Sequence, residues 1–387
     1  MNLSIQHFPI SASRQNAITD RKSLISRSFS SLRWILAVLV VINHYVRANY
    51  YEFGQDIFDA SQSSAAIILD NLISSFTKNY EVPIFFFISG YLVYFGRELS
   101  FPAYFHKFRH KLKTLGIPYI IWCLFPVILH FVMHCNKPFN ENPFFSGINS
   151  TGSLWEFIRH TFGLDLATFP YNVPLWYIRD YFIIFTLLPL IHYLLIKTRG
   201  WILILFASIF MLSFSDLASF RTGAAIFFFP TAYWLRLQNI DLLQTFKKIA
   251  IPAALIYMAL GCTYYLNADP VTNFDNPMPL WVRIAKNTAI CASVPAAIYG
   301  CASLIRSKVL SGNTFLASAS FFLYVTHYPL MNYFLHAGFS IFHCSSQSGP
   351  FLTAILTTTA VAILSITMIY RAMTKLAPRL MKIVDGR

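Results

Sequence analysis

Arg33 and His44 lie on one apolar stretch. The run from Ile35 to Ile42 between them carries no polar side chain. Eleven positions on a helix make about three turns, so the two side chains share a face roughly 16 Å apart. A guanidinium is permanently charged and presents a fork of donors that suits phosphate. An imidazole is the side chain best placed to move a proton near neutral pH. Ionisable groups on so apolar a helix are unfavourable unless something uses or satisfies them. The structural alternatives are an Arg33 that snorkels to the interface and a His44 held by a core hydrogen bond.

Four further stretches carry polar chemistry. In Glu81–Tyr91 the small pair Ser89-Gly90 follows Phe86-Phe87 and leaves room for a substrate or for a closely packed neighbour. Phe105 to Lys113 is a basic run with Lys107, Arg109, Lys111 and Lys113, placed shortly before Pro118-Tyr119. It suits an entrance for a phosphate-bearing ligand, or simply a cytoplasmic loop facing anionic lipid. Pro174-Leu175-Trp176-Tyr177-Ile178-Arg179-Asp180 sets two opposite charges side by side, as a compensated pair or as a polar wall. Tyr324-Val325-Thr326-His327-Tyr328-Pro329 places a second imidazole inside an apolar segment, in a cavity wall or bonded to a backbone carbonyl.

The elements that must position these residues are membrane helices. The chain is 56% hydrophobic and only 12% charged, about half the charge of a soluble domain. About ten windows are long and apolar enough to span a bilayer. They fall near 29–48, 79–97, 115–134, 175–196, 201–216, 222–237, 249–267, 284–305, 314–336 and 350–372. The expected fold is therefore all-α and polytopic. Basic segments alternate with neutral or acidic ones along the chain, so both termini are expected in the cytoplasm. Residues 1–28 read as a polar cytoplasmic tail, 29–372 as the membrane domain and 373–387 as a basic cytoplasmic tail. A short interfacial helix is expected near 153–163. The N-terminus lacks the pattern of a cleaved signal peptide. The six cysteines form no C-x-x-C pair, and no metal site is expected.

Taken together, these residues resemble the acyltransferase-3 family of integral-membrane acyltransferases, many of which O-acetylate surface carbohydrates. The resemblance runs from about Phe29 to Tyr370. Arg33 and His44 match its Arg-x10-His arrangement, and Phe86, Phe87, Ser89 and Gly90 its Phe-Phe-x-x-Ser-Gly signature. Arg109 to Tyr119 match the basic segment before Pro-Tyr. Pro174, Trp176 and Tyr177 match the Pro-x-Trp-aromatic turn, and Tyr324, His327 and Pro329 the late Tyr-x-x-His-x-Pro. Two places depart from the pattern. Val82-Pro83 stands where many members have Val-Asp, and Lys and His largely replace the Arg-rich cytoplasmic motif.

The resemblance implies transfer of an acyl group, acetyl being the expected one, from cytosolic acyl-CoA. The acceptor is a hydroxyl of a surface glycan or lipid-linked sugar. It implies His44 and Arg33 as the catalytic pair. Arg33, Arg109, Lys111 and Lys113 would bind the donor, and Ser89, Gly90, Trp176, Tyr177, Asp180, Tyr324 and His327 would line the substrate site. Proton abstraction by His44 and an acyl-histidine relay both remain open. Acyl-CoA is a substrate, no permanent cofactor is implied, and the other partners are the sugar acceptor and membrane lipid, not nucleic acid. The implied location is the inner or plasma membrane of a bacterium. A transporter or flippase for a lipid-linked sugar is the alternative from another class. Such proteins commonly carry internal repeats with paired broken helices, and no such repeat is visible here.

Overall fold

A computed structural model describes residues 12–46, 49–52, 55–59, 64–133, 153–165, 168–213, 217–267, 279–344 and 350–386. Among them the protein is helical apart from one antiparallel hairpin, β1 (Asn49–Glu52) with β2 (Gln55–Asp59). The helices are α1 (Ala12–Tyr45), α2 (Ser64–Phe76), α3 (Glu81–Leu92), α4 (Phe101–Lys111) and α5 (Ile117–Met133). Then come α6 (Leu154–Phe162), α7 (Trp176–Thr186), α8 (Leu188–Lys197), α9 (Ile202–Leu212) and α10 (Leu217–Leu237). The last are α11 (Leu242–Asn267), α12 (Leu280–Arg306), α13 (Thr314–Ile341), α14 (Phe351–Leu376) and α15 (Pro378–Val384).

Each of the ten apolar windows falls on a helix, but the helices differ in reach. Among the described residues, five are long and apolar enough to cross a membrane alone, beginning at Lys22, Phe101, Leu242, Leu280 and Phe351. The bent pair Val173–Thr186 and Leu188–Lys197, broken by 55°, makes a sixth if it is one span. α3 is shorter than predicted, at 12 residues, and Ile202–Leu212 is likewise short. The outward faces are apolar: Ile251, Leu255 and Leu266 on α11 are 74%, 66% and 78% exposed. Such a surface is stable against lipid and not against water.

Three local outcomes differ from the sequence expectation. Helix α1 runs unbroken from Ala12 to Tyr45 across the boundary expected at residue 28, where Ser28 and Phe29 are buried. The basic run is not a loop: α4 continues through a π-helical turn at Leu112–Gly116 into α5. The C-terminal tail folds back as α15, with Met381 and Val384 buried.

A short helix, α6, forms close to the predicted place. The Ser153 side chain caps α6 by accepting from the Trp155 N–H, and Gly163 ends it in the left-handed conformation. A Cβ at Gly163 would lie 2.6 Å from the Pro170 nitrogen, so the turn admits no larger residue. One of the six cysteines, Cys135, lies outside the described residues.

α1 organises the packing. Its buried residues Phe29, Leu32 and Leu36 belong to one apolar core with α3, α7, α10 and α12. Ala37, Val40, Val41 and Tyr45, further along the helix, belong to a second core with α13 and α14. Spacings of three and four residues place each set on a stripe of the helix. Phe85, Leu115 and Tyr177 pack against both cores and mark the seam between them.

Candidate active site

A cavity of about 840 Å³ opens along that seam. Arg33 and Ser30 of α1, Phe85 and Ser89 of α3, and Tyr177 and Tyr181 of α7 line it. Tyr324 of α13 and the α4–α5 helix complete much of the wall. On the latter, the lining residues are Lys107, His110, Lys111, Thr114 and Leu115. Spacings of three, four, seven and eight from Lys107 trace one face of a helix, even across the π turn. A π turn shifts the phase of a helix and recurs at functional sites.

The side chains of the mouth are held by their neighbours. The Arg33 guanidinium makes two long contacts within its own helix, to the Phe29 carbonyl at 3.4 Å and to Ser30 Oγ at 3.5 Å. Lys107 lies over the Phe95 ring at 4.2 Å and donates to the Tyr94 carbonyl. Lys111 lies 5.8 Å from the Tyr181 ring centre. The same end of the bundle holds Arg27, which packs against the turn at Gly312. A ligand bearing several negative charges suits this end of the cavity.

Deeper in, the wall turns aromatic. Ser89 Oγ and the Tyr177 hydroxyl share a hydrogen bond of 2.8 Å. Phe85, Tyr177 and Tyr324 form a ring triad with centroids 5.7 to 6.4 Å apart. The Tyr324 hydroxyl donates to the Pro174 carbonyl and so joins α13 to the Pro-x-Trp-Tyr turn. Asn172 secures the same turn from beneath, donating from Nδ2 to the Trp122 and Val325 carbonyls at 3.1 and 2.8 Å. Sequence reasoning missed Asn172; its position two residues before Pro174 of the Pro-x-Trp turn was the available sign.

The imidazoles sit beyond the triad. His327 lies one turn from Tyr324, with ring centres 6.3 Å apart. His44 faces His327 at 5.3 Å and Tyr328 at 5.2 Å. His327 Nδ1 lies 3.2 Å from the Leu323 carbonyl, which can only accept, so Nδ1 carries the proton. In the neutral ring Nε2 is then the acceptor nitrogen. His327 is fully buried and His44 half-buried.

The remaining expected site residues fall elsewhere. Arg109 and Lys113 are exposed and do not line the cavity, because alternate residues of a helix cannot share one face. Lys107 and His110 stand there instead. Gly90 serves packing: a Cβ there would lie 2.2 Å from the Phe229 carbonyl oxygen, so α3 and α10 cross in close contact. Asp180 is buried against Arg179, Nε to Oδ1 at 2.8 Å. Arg179 Nη1 also donates to the carbonyls of Gly163, Asp165 and Thr168. The pair is therefore a clamp on the segment after α6. Trp176 packs beside the buried Arg221, 5.3 Å from ring centre to guanidinium.

A second polar cluster, also unforeseen, adjoins His44. Asn43 donates to the buried Glu81 carboxylate, and Thr77 Oγ1 donates to Asn43 Oδ1 at 2.5 Å. Buried Lys286 of α12 attracts Glu81 and donates to the Ser74 carbonyl at 3.1 Å. Glu81 opens the Glu81–Tyr91 stretch noted above, whereas Lys286 stands in no motif, so only the fold brings it near.

Comparison with known proteins identifies the family. The family profile described as an acyltransferase domain matches residues 27–370. The chain is 24% identical over 315 residues to the succinoglycan biosynthesis protein ExoH of Rhizobium meliloti (strain 1021), covering 79% of this chain and 78% of that one. No solved structure matches it.

Proposed function

The chain belongs to the acyltransferase-3 family of membrane acyltransferases, and from that membership we propose that it moves an acyl group, acetyl in the first instance, from acyl-CoA to a polysaccharide hydroxyl. The observation that carries the reading is the basic mouth at Arg33, Lys107 and Lys111 of a cavity whose wall holds the aromatic triad, with the His44–His327 pair packed beside Tyr324 and outside the cavity lining. The donor's phosphates bind at the mouth, and its thiol arm runs inward over Phe85, Tyr177 and Tyr324. His44 takes the proton of the acceptor hydroxyl as its oxygen attacks the thioester carbonyl. The carbon–sulfur bond breaks, the acyl group becomes an ester of the sugar, and the thiolate leaves as coenzyme A after protonation. The polysaccharide acceptor is suggested by the relative's role in succinoglycan biosynthesis. Incubating the purified protein with labelled acetyl-CoA and membrane glycans, followed by mass spectrometry, tests the reaction. Absence of both labelled ester and released coenzyme A would discard it.

The donor site makes its own prediction. Charge-assisted contacts contribute about 1.5–3 kcal/mol each, so Arg33→Ala raises the apparent donor KM about ten- to a hundred-fold. Lys111→Ala acts in the same direction. Arg109→Ala, whose side chain lies outside the cavity, leaves it unchanged. An equal loss in Arg109→Ala would move the phosphate site off the cavity.

The mouth and both termini face the cytoplasm on this reading, in the inner membrane of a bacterium, with as many as ten helices embedded. In intact cells an impermeant thiol reagent labels a cysteine at Asp56 and spares one at Lys113. Labelling of the Lys113→Cys variant from outside would reverse the orientation.

A further inference from the structure

Among the described residues the cavity wall holds one acidic side chain. Of its ionised lining side chains Arg33, Lys107 and Lys111 are positive, and Asp385 is the carboxylate among them. Asp385 reaches that wall because the C-terminal segment is docked at several points. Trp122 Nε1 donates to the Val384 carbonyl at 2.8 Å. The Tyr370 hydroxyl donates to Asp385 Oδ2 at 3.4 Å. Gly386, at φ +70°, lies so close to the Thr114 carbonyl that a Cβ would meet it at 1.7 Å. The segment therefore touches both the π turn and the end of α14. It also lies beyond residue 370, where the family match ends.

We propose that Asp385 is a specificity-determining group of the cavity, held in its wall by the docked C-terminal segment, and that its charge weakens the hold on polyanionic ligands so that a spent donor leaves readily. A ligand that carries several phosphates is drawn in by the three cations. A fixed negative charge beside them opposes it and selects against excess anionic charge. Such a charge near the ligand alters affinity by about three- to ten-fold at low ionic strength, and salt reduces the effect. The identity of the anion rests on the donor reading above; the electrostatic role of Asp385 does not.

Two measurements separate these claims. Calorimetry of coenzyme A binding to the full-length protein in detergent compares wild type with Asp385→Asn, which keeps an oxygen for Tyr370. The variant binds about three- to ten-fold tighter at low salt, and the gap narrows at high salt. Asp385→Ser gives the same shift, which excludes a contact made by the new amide. Equal or weaker binding in both variants overturns the proposal. If coenzyme A binds none of the proteins, the donor reading fails, and the second measurement decides. A cysteine at Ser318 in the cavity wall is modified with anionic and cationic thiosulfonates, with and without Asp385→Asn, after subtracting the rate of the unsubstituted protein. The substitution raises the anionic-to-cationic rate ratio by a similar factor. An unchanged ratio shows that Asp385 does not set the charge of the cavity.

Discussion

Replacing His44 by Ala lowers acyl transfer by at least about a hundred-fold while leaving an inserted, folded protein. A positioned general base contributes on the order of 10²–10⁴ in rate. The side chain is half-buried and touches the rings of His327 and Tyr328, so its loss removes limited packing. His44→Gln keeps a polar group of similar reach that accepts no proton at neutral pH, and it is nearly as inactive. The measurement is turnover per mole of protein eluting as a single folded species. Substantial transfer by the Gln variant would make His44 a hydrogen-bonding structural residue. The base would then be sought at His327, whose Nε2 is the acceptor nitrogen once Nδ1 donates to Leu323.

The largest effect on stability belongs to Lys286. Lys286→Met removes a buried amine that donates to the Ser74 carbonyl and packs over the Tyr264 ring, leaving that carbonyl without its donor at a cost of about 1–3 kcal/mol. Lys286 also attracts Glu81, which holds Asn43, and Asn43 precedes His44. The double variant Glu81→Gln with Lys286→Met loses less than the sum of the two single losses, as both partners are gone and the Asn43 bond can persist. Thermal unfolding in detergent reads the difference. Strictly additive losses would show that the two residues do not act as a pair.

Much of the protein was legible in its sequence. Apolar windows mark helices because a backbone in lipid must satisfy its own hydrogen bonds, and all ten windows fell on helices. The Arg33–His44 spacing and the Tyr324–His327 turn were readable because, within one helix, position fixes face; the Ser89–Tyr177 contact joins α3 to α7 and was not. Bringing these residues together required α1, α3, α7 and α13 to pack, and local pattern does not encode that.

The tertiary structure decided the rest. The basic run was read as a phosphate entrance or a cytoplasmic loop facing anionic lipid, and it continues as helix. Once it is helical, the 3.6-residue period chooses Lys107, His110 and Lys111 for the cavity and turns Arg109 and Lys113 outward. The charges at Arg179 and Asp180, read as a compensated pair or a polar wall, are paired and also clamp the chain, because the carbonyls of Gly163, Asp165 and Thr168 arrive beside the guanidinium. Glu81 and Lys286, and Asp385 in the cavity wall, come together only through contacts between residues far apart in the chain. Sequence period sets which face of a helix is polar; only the packing of helices sets what that face meets.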